Sequence, residues 1–239
     1  MPVAGDPKEN HLLAALPAAS YERLRSHLMY RRLALGESIY ESGDCISNVL
    51  FLTTSIVSLL NTTSGGSSAE ISIVGNEGVV GIALFMGGHS MPSRAVVQSA
   101  GDAFRVSSEV IQDEFNRSGA MQHLLLKYTQ ALITQMAQTA LCNRHHSLHQ
   151  QLCRWLLLSL DRLAGNELVM TQELIANMLG VRREGVATAA KKLQGTGIID
   201  YRRGHIKVLD RVGLEACTCE CYAVVKREYN RLLPSSGLD

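Results

Sequence analysis

The sequence predicts an α+β protein: an N-terminal antiparallel β jelly-roll, one long helix and a C-terminal winged helix-turn-helix. Three observations carry this. Residues 33–106 break into short Val-, Ile- and Thr-rich runs divided by Gly, Asn and Asp turns, the pattern of an antiparallel barrel. Ala120 to Asn143 runs without Gly or Pro. Gly180 then separates two amphipathic segments, and a hairpin pattern follows.

Taken in order, Ala18–Met29 is a helix candidate with Leu24 and Leu28 on one face. Strands are expected over Ser38–Tyr40, Val49–Leu60, Ala69–Val74, Arg94–Gln98 and Ala103–Val106. Ser42-Gly43-Asp44, Ser64-Gly65-Gly66, Asn76-Glu77-Gly78 and Ala100-Gly101-Asp102 supply turn chemistry between them. Ser107-Ser108 is a candidate N-cap for a short helix bearing Val110, Ile111 and Phe115. On the long helix, Met121, Leu125, Tyr128, Leu132 and Met136 recur at near-heptad spacing. With few charges to solvate it, the helix is expected to pair with its counterpart in a second subunit. Packing on its own barrel is the alternative. Leu148, Leu152, Leu156, Ser159 and Leu163 form a further stripe, ended by Gly165-Asn166. The segments divide as 1–117 (barrel), 118–147 (long helix) and 148–239 (winged helix).

Charge follows this division. The 239 residues carry 23 Lys+Arg and 22 Asp+Glu, a net charge of +1 that by itself speaks against an anionic partner. Residues 1–117, however, carry −4, residues 118–147 carry +2 and residues 148–239 carry +3. Within 181–209 seven basic side chains face two acidic ones, and such concentration points to a polyanion. Met1 to Asn10 has no apolar core and does not read as a signal peptide. The densest apolar stretch, Trp155 to Leu163, is far shorter than the roughly 20 residues a bilayer needs. No membrane is expected as a partner, and the six cysteines (Cys45, Cys142, Cys153, Cys217, Cys219 and Cys221) are expected to be reduced in a cytoplasmic protein.

The helix-turn-helix is the most specific signal. Thr171 caps a short helix through Met178. Counting Gln172 as position one, Ala176 is at five, Gly180 at nine and Val186 at fifteen. These are the positions where the motif needs a small residue, a turn and a packing residue. Arg182, Arg183 and Glu184 open the second helix, the end that enters a major groove. Arg can clamp guanine O6 and N7, and Glu can accept from cytosine N4. Lys191 and Lys192 suit phosphates. Ile198 to Leu209 reads as a hairpin turning at Arg203-Gly204, with Ile199 and Tyr201 facing Ile206 and Val208. Arg202, Arg203, His205 and Lys207 line it as a phosphate-contacting wing. Thr171, Gln172 and Thr188 complete the candidate DNA-binding set.

In this order of parts the chain resembles the Crp/Fnr family of bacterial transcription regulators over nearly its full length. The resemblance rests on Gly36-Glu37, Gly43-Asp44 and Val49–Leu52 in the barrel, each weak alone, and above all on Arg183-Glu184 with Val186. Gly185 and Thr188 depart from the family's Thr and Arg, so the usual operator half-site is in doubt. The resemblance implies a homodimer on a pseudo-palindromic duplex, contact with RNA polymerase, and an effector in the barrel. Its cyclic-nucleotide pocket corresponds to Gly81, Ile82, Ser93 and Arg94. Ile82 replaces the ribose-binding Glu, and a group left unpaired there costs about 1–3 kcal/mol. Ser93-Arg94 reverses the phosphate-binding pair, so an unknown small molecule other than cyclic AMP is expected. Arg94 is either its anion ligand or a surface residue.

No cofactor and no metal is expected. The oxygen-sensing relatives' N-terminal cysteines are missing before Cys45. On a continuous helix Cys217 and Cys221 share a face while Cys219 points away, so three thiolates would not converge. His145 and His149, with Cys153 on the same face, stand as a weaker metal alternative. No catalytic motif appears, so the chain is not expected to be an enzyme. The rival reading is a cupin-like ligand-binding or metal-dependent barrel with a protein-docking winged helix.

Overall fold

The computed structural model describes residues 5–233. Residues 1–4 and 234–239, the outer ends of the expected 1–117 and 148–239 segments and part of the N-terminal reading, lie outside the described residues. Two short helices, α1 (His11–Ala14) and α2 (Ala18–Arg25), precede the barrel. Asn10 fixes the first: its Oδ1 accepts from the Leu12 and Leu13 amides, while its Nδ2 donates to the Leu52 and Gly78 carbonyls at 2.8 Å.

Eight strands follow: β1 (Met29–Leu33), β2 (Ser38–Tyr40), β3 (Asn48–Leu52), β4 (Ile56–Thr62), β5 (Ser68–Val74), β6 (Val79–Val80), β7 (Arg94–Ser99) and β8 (Gly101–Ser107). They form two four-stranded antiparallel sheets, ordered β1-β8-β3-β6 and β2-β7-β4-β5. Phe51, Ile56, Val57, Ile73, Val97 and Val106 fill the space between them. The single strand expected over Val49–Leu60 is two. Residues 53–55 turn the chain from one sheet to the other, and the Thr53 amide and hydroxyl both donate to the Asp102 carbonyl.

Beyond the barrel lie α3 (Ser108–Asn116), α4 (Ala120–His145), α5 (Leu148–Leu160), β9 (Glu167–Val169), α6 (Gln172–Leu179), α7 (Arg183–Gly195), β10 (Ile199–Arg202), β11 (His205–Val208), α8 (Arg211–Cys217) and α9 (Glu220–Leu232). Helix α4 packs along α9 and β5. This corrects the expected subunit seam. Met121, Leu125, Tyr128 and Leu132 are buried within the chain, and Met136 packs on the same core. Tyr128 is pressed so closely onto Gly78 that a Cβ there would fall 2.5 Å from its ring. Spacing alone does not pick out the seam, because α4 is apolar on both sides. The exposed side carries Leu126, Gln130, Ile133, Ala137 and Ala140, spaced by four and three, with Ile133 58% exposed.

Two buried polar clusters join the barrel to the helices behind it. Arg162, just past α5, donates through Nε to Glu77 at 2.8 Å, through Nη2 to the Gln135 side-chain oxygen at 3.0 Å and through Nη1 to the Leu158 carbonyl at 2.7 Å. Nearby, the Ser58 hydroxyl donates to Glu70 at 2.6 Å, and Gln98 donates to Ser159 of α5 at 2.9 Å.

Candidate nucleic-acid interface

The helix-turn-helix is built from local chemistry. The Thr171 hydroxyl accepts from the Leu174 amide at 3.2 Å and starts α6. Gly180 ends it in the left-handed conformation, φ 65°, where a side chain would be strained. Buried Ala176 lets α7 pack closely on α6, and Val186 and Leu193 anchor α7. Arg182 is the N-cap of α7 and offers no side-chain cap, while the Gly185 amide donates to the Arg182 carbonyl at 3.0 Å.

Strands β10 and β11 pair with Ile199 opposite Val208 and Tyr201 opposite Ile206. Arg203 (φ 51°) and Gly204 (φ 83°) both adopt positive φ, as a two-residue turn matching strand twist demands. Strand β9 completes the sheet by pairing with β11. Residue pattern does not reveal it, because three residues are too few to show an alternation.

The candidate contact residues all reach the surface. Thr171, Arg182, Arg183, Glu184, Thr188, Lys191, Lys192, Arg202, Arg203, His205 and Lys207 are exposed, and Gln172 is half-buried. A cleft of about 310 Å³ between the start of α6, the start of α7 and the wing is lined by Thr171, Gln172, Glu173, Arg183, Tyr201 and Arg203. Lys207 pairs with Glu167 at 3.1 Å and Arg202 with Asp200 at 3.0 Å, both in solvent. The Thr188 hydroxyl is turned back onto the Glu184 carbonyl at 2.9 Å. A Cβ at Gly185 would fall 2.7 Å from Leu148 Cδ2, the tip of a half-buried side chain.

A family profile described as the Crp-like helix-turn-helix domain matches residues 150–217. Residues 150–217 are a Crp-like helix-turn-helix domain. No curated protein matches the sequence. Solved structures match the whole fold. One, described as a transcriptional regulator of the Crp/Fnr family from Eubacterium rectale ATCC 33656, has a TM-score of 0.65 at 18% identity, covering 88% of this chain and 98% of that one. FixK2 from Bradyrhizobium japonicum gives 0.68 at 17%, over 80% and 98%. A Crp-family transcriptional regulator from Thermus thermophilus gives 0.64 at 18%, over 86% and 99%. At these identities the likeness is one of fold. The chain has the fold of the Crp/Fnr regulators, and fold and domain together support a DNA-binding transcription regulator rather than a barrel enzyme. Among the described residues no helix is long and apolar enough to cross a membrane.

In the Crp-type barrel, Gly81 (φ 99°) precedes a single 3-10 turn, Ile82–Leu84. Ser93 is buried beside the Tyr40 side chain. Arg94 opens β7 and reaches Glu41 at 3.2 Å, with its Nε buried and unpartnered. A cavity of about 120 Å³ lies between β2 and β3 beside Tyr40, Cys45 and Asn48, well below the roughly 300–1,000 Å³ of small-molecule sites.

The cysteines are arranged otherwise than a continuous helix would place them. The chain breaks at Thr218 (φ −83°, ψ 173°) between α8 and α9. Cys219 and Cys221 therefore turn to one side, against Cys142 and His146, while half-buried Cys217 stays outside the group. The alternative trio does not assemble: His145 is exposed, while His149 is half-buried and its pKa is lowered by burial and by Lys192.

Proposed function

We propose that the chain is a homodimeric, sequence-specific DNA-binding regulator. The observation that carries it is the uncapped, arginine-bearing start of α7 lying beside a basic wing on one surface. In this reading residues 1–117 sense, 118–147 join the subunits and 148–239 bind DNA. The exposed face of α4 around Leu126, Ile133 and Ala137 supports a two-fold pairing with a second copy. Each α7 then enters a major groove about 34 Å from its partner, on a pseudo-palindromic operator. Arg182, Arg183 and Glu184 read bases; Lys191, Lys192, Arg202, Arg203, His205 and Lys207 hold phosphates; Thr171, Gln172 and Thr188 flank them. The protein acts in the cytoplasm, touching RNA polymerase once on DNA.

The effector is an anionic small molecule contacted by Arg94, whose buried Nε lacks a partner, beside Ser93. Ile82 offers no carboxylate to a ribose, so cyclic AMP is not assigned. Tight binding of cyclic AMP in a calorimetric titration would refute that part.

Selection from a random duplex pool, followed by anisotropy across a salt series, tests the DNA reading. Affinity is expected to fall steeply with salt. Arg183→Ala is expected to cost about 1–3 kcal/mol and relax one base preference, whereas Lys207→Ala weakens all sequences alike. A flat salt response, or equal affinity for every sequence, would sink the proposal.

A further inference from the structure

We infer that Cys142, His146, Cys219 and Cys221 form a mononuclear, tetrahedral site for a thiophilic divalent cation of the zinc class. The four candidate ligand atoms lie within 4.8 Å of one another. Cys142 Sγ is 3.5 Å from Cys219 Sγ, and Cys221 Sγ is 3.6 Å from His146 Nδ1. A zinc with metal–sulfur bonds of roughly 2.3 Å holds its ligand atoms roughly 3.5–3.8 Å apart, so these edges need only a few tenths of an ångström of adjustment. A disulfide needs sulfurs about 2.05 Å apart, and all six cysteines are free. An iron–sulfur cluster spreads its thiolates over two or four irons, which suits a wider group than this one.

Three further observations point to a ligand. His146 turns Nδ1 toward the thiols while its Nε2 lies 3.3 Å from the Glu220 carboxylate. That is the usual arrangement in which a carboxylate orients a metal-bound imidazole through its other nitrogen. Arg154 is only 4% exposed, its Nε has no partner, and its charge acts on both Cys142 and Cys221. Three thiolates and one imidazole around a divalent ion leave one negative charge, which this guanidinium offsets. Finally, an open cleft of about 480 Å³ lined by Thr218, Cys219 and Glu220 gives access from solvent.

The binding step balances simply. Three thiols lose three protons to solvent, neutral His146 donates its Nδ1 lone pair, and no electron is transferred. The ligands come from the end of α4, the short link to α5, and the corner between α8 and α9. A bound ion therefore clamps the α8–α9 corner to the end of the long helix. None of this depends on the DNA-binding reading.

The test uses the full chain purified under reductant without chelator and equilibrated with Zn²⁺ or Co²⁺. Elemental analysis is expected to find about one zinc per chain, and the cobalt form to show tetrahedral thiolate absorption. A Cys219→Ser/Cys221→Ser double variant is expected to lose at least nine-tenths of the metal, while Cys217→Ser keeps it. Glu220→Gln retains every ligand and is expected to bind zinc about 10–100-fold more weakly in competition with a chromophoric chelator. The inference is overturned by a wild-type chain that stays metal-free with reduced thiols. Undiminished zinc in the double variant, or iron accompanied by acid-labile sulfide, would equally overturn it.

Discussion

Replacing Glu77 by Ala removes one half of the ion pair that joins the barrel to α5. Glu77 and Arg162 are 0% and 1% exposed, with Nε and Oε1 2.8 Å apart. Glu77 also accepts from the Gly75 amide at 3.1 Å. Burial opposes the charge on Arg162 and the Glu77 carboxylate offsets it, so its pKa is held above the ordinary value. Without Glu77, the guanidinium keeps the Gln135 and Leu158 oxygens but no opposing charge within reach of its Nε. Leaving one buried charge unmatched costs about 3–5 kcal/mol. Arg162→Met leaves the opposite charge bare and is expected to cost as much. The double variant should be more stable than the sum of the two losses implies, with a coupling of about 0.5–3 kcal/mol. Urea unfolding reads this directly, because the single tryptophan, Trp155, is buried in α5. Losses below about 1 kcal/mol in both single variants, or strictly additive losses in the double, would refute the reasoning.

Other perturbations reach different parts of the molecule. Burial raises the Glu70 pKa from 4.5 to about 7, with Ser58 and Arg154 opposing. The folded chain thus holds this proton more tightly than the unfolded one, so the contribution of Glu70 to stability is greatest below about pH 4.5 and falls toward pH 7, by about 3 kcal/mol. Glu70→Gln should flatten that part of a stability–pH curve; an unchanged slope would contradict it. Gly78→Ala drives a Cβ into the Tyr128 ring and is expected to destabilise by about 1–3 kcal/mol, visible in a thermal melt. Ile133→Glu places a charge on the exposed face of α4 and should shift sedimentation toward monomer, with a dimer of unchanged strength counting against the proposed pairing. The corresponding change at Tyr128 would report folding instead, because that ring is buried within one chain.

Much of the architecture is readable from residue pattern because each part carries a local signal. Gly180, Ala176 and Val186 mark the helix-turn-helix by positions with separate physical demands, and Arg203-Gly204 marks the wing turn. Strand β1 escapes because Met29-Tyr-Arg-Arg-Leu shows no alternation, and β6 because two residues carry no period. The inward face of α4 is illegible for a different reason. Both of its sides are apolar, and the choice between them is made by β5 and α9, which are distant in sequence. The cysteine group is hidden by two extended residues, Thr218 and Cys219, which break a run that otherwise reads as continuous helix. Cys142 and His146, at i and i+4 at the end of a helix, are the signal that could have found it.

Helix α4 ends at His145 and α5 begins at Leu148, with Ser147 capping α5 through reciprocal contacts with Gln150. The joint is thus two residues long, and it leaves little slack between the two helices. α5 spans 13 residues, roughly 20 Å of helix, so a turn of about ten degrees moves its far end by roughly 3 Å. Such a swing would pull Ser159 and Arg162 away from Gln98 and Glu77, so the buried contacts at the far end of α5 hold the angle that the short link sets.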